Sequence, residues 1–260
     1  MTATPSPGRP CVLVFAGLDP SGGAGLIADA QAVAAQGAHA LTVCTALTVQ
    51  DNDRVFDVRP VDADLVLSQA RALTDRMAIV AVKIGIPGSA ANALEIAGVI
   101  RALRAAQPAL PVVLDPVLAS GHGDILTRGD AVAALAPLLA LATVLTPNGP
   151  EARRLTGAGD GAAQAAILRG QGCRNVLITG GHDAGPTLIN RCYGDVDHRW
   201  SWPRLPGQFH GSGCTLAAAI AGQLALGAAL AGALENAQHY CHAALRNAYA
   251  VAPGQRMPAR

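Results

Sequence analysis

The stretch Val12-Leu13-Val14-Phe15-Ala16-Gly17-Leu18 runs directly into Asp19-Pro20-Ser21-Gly22-Gly23-Ala24-Gly25, and then into Leu26, Ala30, Val33 and Ala34 at helical spacing. An apolar run of strand length, a glycine-rich turn and an apolar-faced helix are the first half of a β-α-β unit. The strand does not alternate with polar residues, so both of its faces should be covered by helices. The same alternation recurs outward along the chain. Strands are expected at 12–18, 40–49, Ile79–Ile84, 112–117, 143–146 and 175–179, with helical spacing at 90–103 and Ala131–Leu139. A polar, Trp-bearing segment at 189–202 reads as a hairpin, and 212–250 as helix throughout. The expected fold class is α/β, three layers (α/β/α) around a mostly parallel central sheet.

No repeat, low-complexity tract or linker interrupts this pattern, so 11–252 reads as one domain between a flexible 1–10 and a tail at 253–260. The chain is 51% hydrophobic and 14% charged, against about 25% charged in ordinary soluble domains, which excludes disorder. A net charge of +1 supplies no global field for nucleic acid or an anionic bilayer, so any anion must be held locally. The six cysteines are scattered without a Cys-x-x-Cys pair, which points to reduced thiols, a cytoplasmic setting and no structural metal. Residues 216–234 are nearly all apolar over about the length of a membrane span, but Gln223 and three glycines interrupt them without flanking anchors. Two buried helices meeting near Gly227 account for them better.

Ligands of such sheets bind beyond the carboxyl ends of the strands. The tips there are Gly17 to Gly25, Thr48-Val49-Gln50-Asp51-Asn52, Lys83-Ile84-Gly85, Asp115-Pro116-Val117, Thr146-Pro147-Asn148-Gly149-Pro150-Glu151 and Thr179-Gly180-Gly181-His182. Acidic, amide and glycine-rich tips on one rim describe a site for a polar small molecule beside a phosphorylated one. His210-Gly211-Ser212-Gly213-Cys214-Thr215 precedes an apolar helix, and glycines there expose consecutive N–H groups to an anion. It lacks the lysine of a Walker A loop. Cys214 sits where a helix N-terminus favours a thiolate, making it a candidate base or nucleophile; the other five cysteines read as packing. Asn148 and Glu151 fit either a helix cap or a water-mediated Mg²⁺ site. Lys83 and Asp115 fit either an ion pair or the site itself, and His182 and His122 lie in glycine-rich loops.

Taken together, in this order and spacing, these motifs resemble the ribokinase-like superfamily, and within it the kinases that phosphorylate 4-amino-5-hydroxymethyl-2-methylpyrimidine and its phosphate in thiamine biosynthesis. The resemblance spans about 12–250. It implies transfer of the ATP γ-phosphoryl group to the hydroxymethyl arm, then a second transfer. It implies a pyrimidine pocket of Gly17, Ala24, Gln50, Ile86 and Val117, and Mg²⁺ faced by Asp115 and Glu151. Nucleotide contacts would come from Asn148, Thr179, Gly211 and Gly213, with Gly211, Ser212 and Gly213 cradling the phosphoryl group. Cys214 would stand where sugar kinases of the superfamily carry an aspartate base, and the active form would be a homodimer. The sequence departs from the family's usual lysine at Thr179, its frequent methionine at Ile86 and its lid lysine within 118–123. The competing expectations are a pyridoxal or pyridoxamine kinase, a pyrimidine-binding sensor without turnover, and a hydrolase using Cys214 with His210.

Overall fold

The computed structural model describes residues 8–119, 126, 130–182 and 184–260. Most of the expected flexible N-terminus, and His122 in the lid segment, lie outside the described residues. The chain runs β1 (Cys11–Leu18), α1 (Gly25–Ala35), β2 (His39–Gln50), β3 (Val55–Pro60), α2 (Ala63–Thr74), β4 (Ile79–Ile84) and α3 (Ala90–Ala106). It continues through β5 (Val112–Leu114), α4 (Ala131–Leu139), β6 (Val144–Leu145), α5 (Gly149–Thr156), α6 (Gly161–Gly170) and β7 (Asn175–Ile178). The last elements are β8 (Thr187–Tyr193), β9 (His198–Pro203), α7 (Ser212–Ala225) and α8 (Leu230–Arg246).

The strands form one nine-stranded sheet, β3-β2-β1-β4-β5-β6-β7-β8-β9. From β2 to β7 the pairs are parallel, while β3 and the β8–β9 hairpin are antiparallel. Alternate residues of β1 feed opposite cores. Leu13 and Phe15 join a cluster closed by α2 to α6, and Val12, Val14 and Ala16 join one closed by α1, α7 and α8. This two-sided burial is the reason the strand reads as unbroken Val, Leu and Phe. Chain order reverses between β1 and β4, and a crevice opens at such a switch point beyond the carboxyl ends.

Three expectations change. β3 and α2 carry no clear signal, because β3 is an edge strand with Phe56 exposed and charged neighbours, and a bulge at Val49/Gln50 breaks the pairing register. β5 stops at Leu114: Asp115 N–H still bonds to Ile84 O of β4 (2.8 Å), but Val117 N–H turns back to Asp115 O (2.9 Å) and ends the extended run. Residues 253–260 are no loose tail: Gln255 and Met257 are buried, Asn52 Nδ2 donates to the carbonyls of Pro253 and Gln255 (3.1 and 3.0 Å), and Met257 pairs with Tyr249. Among the described residues no helix is long and apolar enough to cross a membrane; α7 and α8 part at Gly227.

Candidate functional site

A cavity of about 850 Å³ opens beyond the carboxyl ends of the strands. Its first end is shaped by absence of bulk: a Cβ on Gly17 would fall 2.7 Å from Ile86 Cδ1. Ile86 belongs to a small apolar cluster with Ala46, Val58 and Leu126, against which Val117 packs. Two buried hydrogen-bonding residues hold that floor. Thr45 Oγ1 donates to Ile86 O (2.6 Å), and Asn92 Nδ2 reaches the carbonyls of Thr45, Val61 and Pro87 at 3.0–3.1 Å. Gln50 stands half-exposed at the end of β2, on the cavity wall.

The turn after β1 is built on Asp19. Its carboxylate accepts from Ser21 N and Ala24 N at 2.8 Å each and contacts His210 Nε2 at 2.8 Å. Burial alone would raise its pKa, but the hydrogen bonds from His210 and Ser21 outweigh it and hold the carboxyl below its usual range. This places Ala24 beside the start of α7. There Gly211 is the N-cap at φ +69, no side chain caps the helix, and the first N–H groups have no intrahelical acceptor. Ser212, Gly213 and Cys214 follow on the same cavity wall.

Between the two ends lie the acids. Asp115 is 3% exposed, and its Oδ2 is buried with no hydrogen-bond partner among the described residues. Glu151 and Asn148 form a complete capping box: Asn148 N–H donates to Glu151 Oε2 and Glu151 N–H to Asn148 Oδ1, both at 2.9 Å. Burial, and then repulsion from Asp115, push the Glu151 carboxyl well up; burial likewise raises Asp115 against the pull of Lys83. A divalent cation would relieve both effects, and Glu151 keeps lone pairs beyond those its cap uses. The residues present therefore fit Mg²⁺.

The phosphomethylpyrimidine kinase family model matches residues 19–258. The chain belongs to that family. The hydroxymethylpyrimidine/phosphomethylpyrimidine kinase of Streptomyces coelicolor is 37% identical, covering 98% of this chain and 96% of the relative. The kinase of that name from Rhizobium meliloti is 40% identical over 94% and 93%. The structure of Staphylococcus aureus pyridoxal kinase in complex with AMP-PCP and pyridoxal superposes with a TM-score of 0.85 at 27% identity, covering 97% of this chain and 94% of that one. The ribokinase-like α/β/α architecture expected from the sequence is thus the one observed.

For a phosphomethylpyrimidine kinase, the residues given catalytic, substrate, nucleotide or metal roles in the sequence all line this cavity, with Lys83 and His182 beside them; His122 lies outside the described residues. Two details differ. Lys83 does not pair with Asp115; its Nζ lies 2.7 Å from Asp29 Oδ2, both side chains fully buried. Asp29 sits mid-helix in α1, where nothing in the sequence separates it from a solvated helix face. The Cys214 thiol is also not activated. Desolvation, with Asp115 and Asp29 adding to it, outweighs Lys83 and a hydrogen bond from Gly25 and pushes it up to about 12. A protonated thiol of this kind, with His210 engaged by Asp19, removes the basis for the hydrolase expectation.

Sequence reasoning missed the opposite end of the kinase cavity. Trp202 stacks on His242 (centroids 5.1 Å, 28°), donates from Nε1 to Gln238 Oε1 (3.2 Å), and shares the wall with Leu188 and Leu216. Only the hairpin's tryptophans could have hinted at it. Arg204 also lines this wall, its guanidinium donating to the carbonyls of Gly185 and Gly181 at 2.6 and 2.8 Å. Arg154, exposed one turn after Glu151, brings a cation to the rim of the cavity.

Proposed function

We propose that the chain transfers the γ-phosphoryl group of ATP to 4-amino-5-hydroxymethyl-2-methylpyrimidine and then to its monophosphate. The observation that carries this reading is that the uncapped start of α7 opens into the same cavity as the Gly17–Ile86–Val117 pocket, with the buried Asp115 and the half-buried Glu151 on the same wall. A flat ring would lie in that pocket with its hydroxymethyl arm toward Cys214, and the Trp202 end would take the purine. Asn148, Thr179, Gly211 and Gly213 would line the polyphosphate path. Asp115 and Glu151 would hold Mg²⁺, which neutralises charge on the phosphoryl oxygens. Phosphoryl transfer passes through a loose transition state that needs positioning and charge stabilisation more than a strong base. A protonated Cys214 suits that demand by orienting the hydroxymethyl oxygen, and the N–H groups of 211–213 would receive the developing negative charge.

Supplying ATP with the pyrimidine, its monophosphate, pyridoxal and pyridoxamine in parallel tests the reading. ADP release is expected with the first two. Release with pyridoxal alone would move the chain to the vitamin B6 kinases, and binding without release would make it a sensor. The identity of 37–40% to pyrimidine kinases against 27% to the pyridoxal kinase favours the first outcome. The working form is a cytoplasmic homodimer. Six free thiols support the compartment, and the exposed Leu47, Val49 and Phe56 at the β2–β3 edge support the dimer, which light scattering would check.

Gln50 would read the edge of the ring, because a primary amide matches a 4-aminopyrimidine's donor and ring-nitrogen acceptor. Gln50→Glu sets a carboxylate oxygen against that ring nitrogen, at a cost of about 1–3 kcal/mol, or roughly five- to 150-fold in pyrimidine KM. ATP KM should hardly move. A pyrimidine KM within about twofold of the parent, the size of an ordinary surface effect, would remove Gln50 from recognition. Glu151→Gln should raise the Mg²⁺ concentration for half-maximal rate, since one acidic partner of a hard cation is lost. An unaltered Mg²⁺ titration would leave Glu151 with its cap alone. Cys214→Ala should lower kcat by about tenfold or more with little change in pyrimidine KM, as a group acting in the transition state does. Equal changes in both would return Cys214 to packing.

A further inference from the structure

The two glycine turns that meet at the start of α7 are held by a side chain far along the chain. Arg260 Nε donates to Thr215 Oγ1 at 2.8 Å. Its Nη2 donates to Gly23 O and reaches the carbonyls of His210 and Gly211 at 3.4 and 3.5 Å, while Nη1 reaches Gln31 Oε1 at 3.5 Å. The guanidinium thus ties the turn after β1 to the N-cap and first turn of α7. The fit is tight, since a Cβ on Gly211 would fall 3.0 Å from Arg260 Nη2 and 2.1 Å from Gly23 O.

The arginine is itself well anchored. Arg256 N–H bonds to Gln208 O (2.9 Å), His210 N–H to Arg256 O (3.0 Å), Met257 exchanges hydrogen bonds with Tyr249, and Ala259 N–H bonds to Ala244 O (3.0 Å). A planar trans peptide points its C=O and N–H in opposite directions. The Gly211 carbonyl accepts from Thr215 N–H (2.9 Å) and Thr215 Oγ1 (2.8 Å), and Arg260 braces that hydroxyl while drawing the His210 carbonyl toward itself, so the N–H groups of Gly211 and Ser212 are sent the other way. The cation adds positive potential behind those donors, close enough that Asp29, Cys214 and Tyr240 all act on it electrostatically.

We propose that Arg260 is a positioning residue for phosphoryl transfer, aiming the N–H groups of the α7 turn. This rests on the reading that the turn receives the transferring phosphoryl group. Pre-aimed donors cost no reorganisation when charge develops, and small misplacement of such groups costs up to about a hundredfold.

The test compares Arg260→Ala and Arg260→Lys with the parent in ADP release and in amide hydrogen exchange. Arg260→Ala is expected to lower kcat by about ten- to a hundredfold with pyrimidine KM nearly unchanged. Guanidinium chloride, well below denaturing concentration, should restore part of that rate where sodium chloride does not. Lysine keeps the charge but lacks the fork, so Arg260→Lys should fall between the two. The amides of residues 215–218, the first in α7 with intrahelical acceptors, should exchange faster in Arg260→Ala, with those of β1 and β4 unchanged. Parental kcat in Arg260→Ala, or a loss that guanidinium leaves untouched, overturns the proposal. If the parent releases no ADP, the functional reading fails instead, and exchange alone decides: unchanged protection at 215–218 overturns the clamp.

Discussion

Replacing Asp29 with alanine is expected to destabilise the fold by about 3–5 kcal/mol, the cost of leaving one member of a buried ion pair alone. Lys83 and Asp29 are both 0% exposed, and their 2.7 Å contact lies between β4 and α1, directly behind the site. Burial would lower the Lys83 pKa, but Asp29, Cys214 and Asp115 carry it above its ordinary value, whereas burial raises Asp29. Those two directions oppose one another, and the short contact decides for the ionised pair. Because the Lys83 pKa is raised, its contribution is fully present below the unfolded lysine value and fades only in strong alkali. In Asp29→Ala the ammonium would keep only Asp115 and the thiol as neighbours, so the acids at the site should lose affinity for Mg²⁺ as well. Urea unfolding measures the first effect and Mg²⁺ titration the second. The double change Asp29→Leu with Lys83→Met should recover most of the stability, because apolar groups carry no desolvation penalty, without recovering activity. A single-variant loss under about 1 kcal/mol, the worth of an exposed pair, would show the pair to be hydrated.

Gly211→Ala is expected to abolish most turnover. Alanine at φ +69 costs about 1–2 kcal/mol by itself, and its Cβ would meet Gly23 O at 2.1 Å, where backbone faces backbone and no rotamer can yield. The N-cap must then move and carry its N–H groups with it. Loss of a single preorganised donor costs roughly 10²–10³ in kcat, so a displaced turn should cost at least that. Gly213→Ala provides the contrast. Its Cβ would sit 3.7 Å from both Asp115 carboxylate oxygens, ordinary contact, so the fold should survive and any loss should come from the narrowed approach to Asp115. Melting curves with kcat for both variants separate the cases, and a Gly211→Ala enzyme with parental kcat would show that the turn plays no part in the chemistry.

How much of this was legible beforehand depends on how local each signal is. The β1 strand, its glycine turn and α1 were readable from periodicity and composition, because a doubly buried strand must be continuously apolar and a tight turn must be glycine-rich. Helix α4 runs over the span its spacing predicts, and the strand tips name the cavity residues at the β1–β7 rim, since parallel strands present their carboxyl ends on one side. Edge strand β3 was not readable. Its exposed Phe56 and charged neighbours follow solvent rather than a core, and the Val49/Gln50 bulge hides its pairing. The cap-or-metal ambiguity at Glu151 was also beyond sequence, because the same carboxylate both closes the capping box and faces Asp115. What the sequence determined by itself is the α/β architecture, the rim of strand tips and the residues those tips carry, all encoded by near neighbours along the chain. Only the tertiary structure decided that Lys83 pairs with Asp29, that desolvation and the nearby carboxylates push the Cys214 thiol up, and that Arg260 returns to clasp Gly23 and Gly211. Charge pairing and desolvation depend on which groups meet in space, and those partners lie tens to hundreds of residues apart.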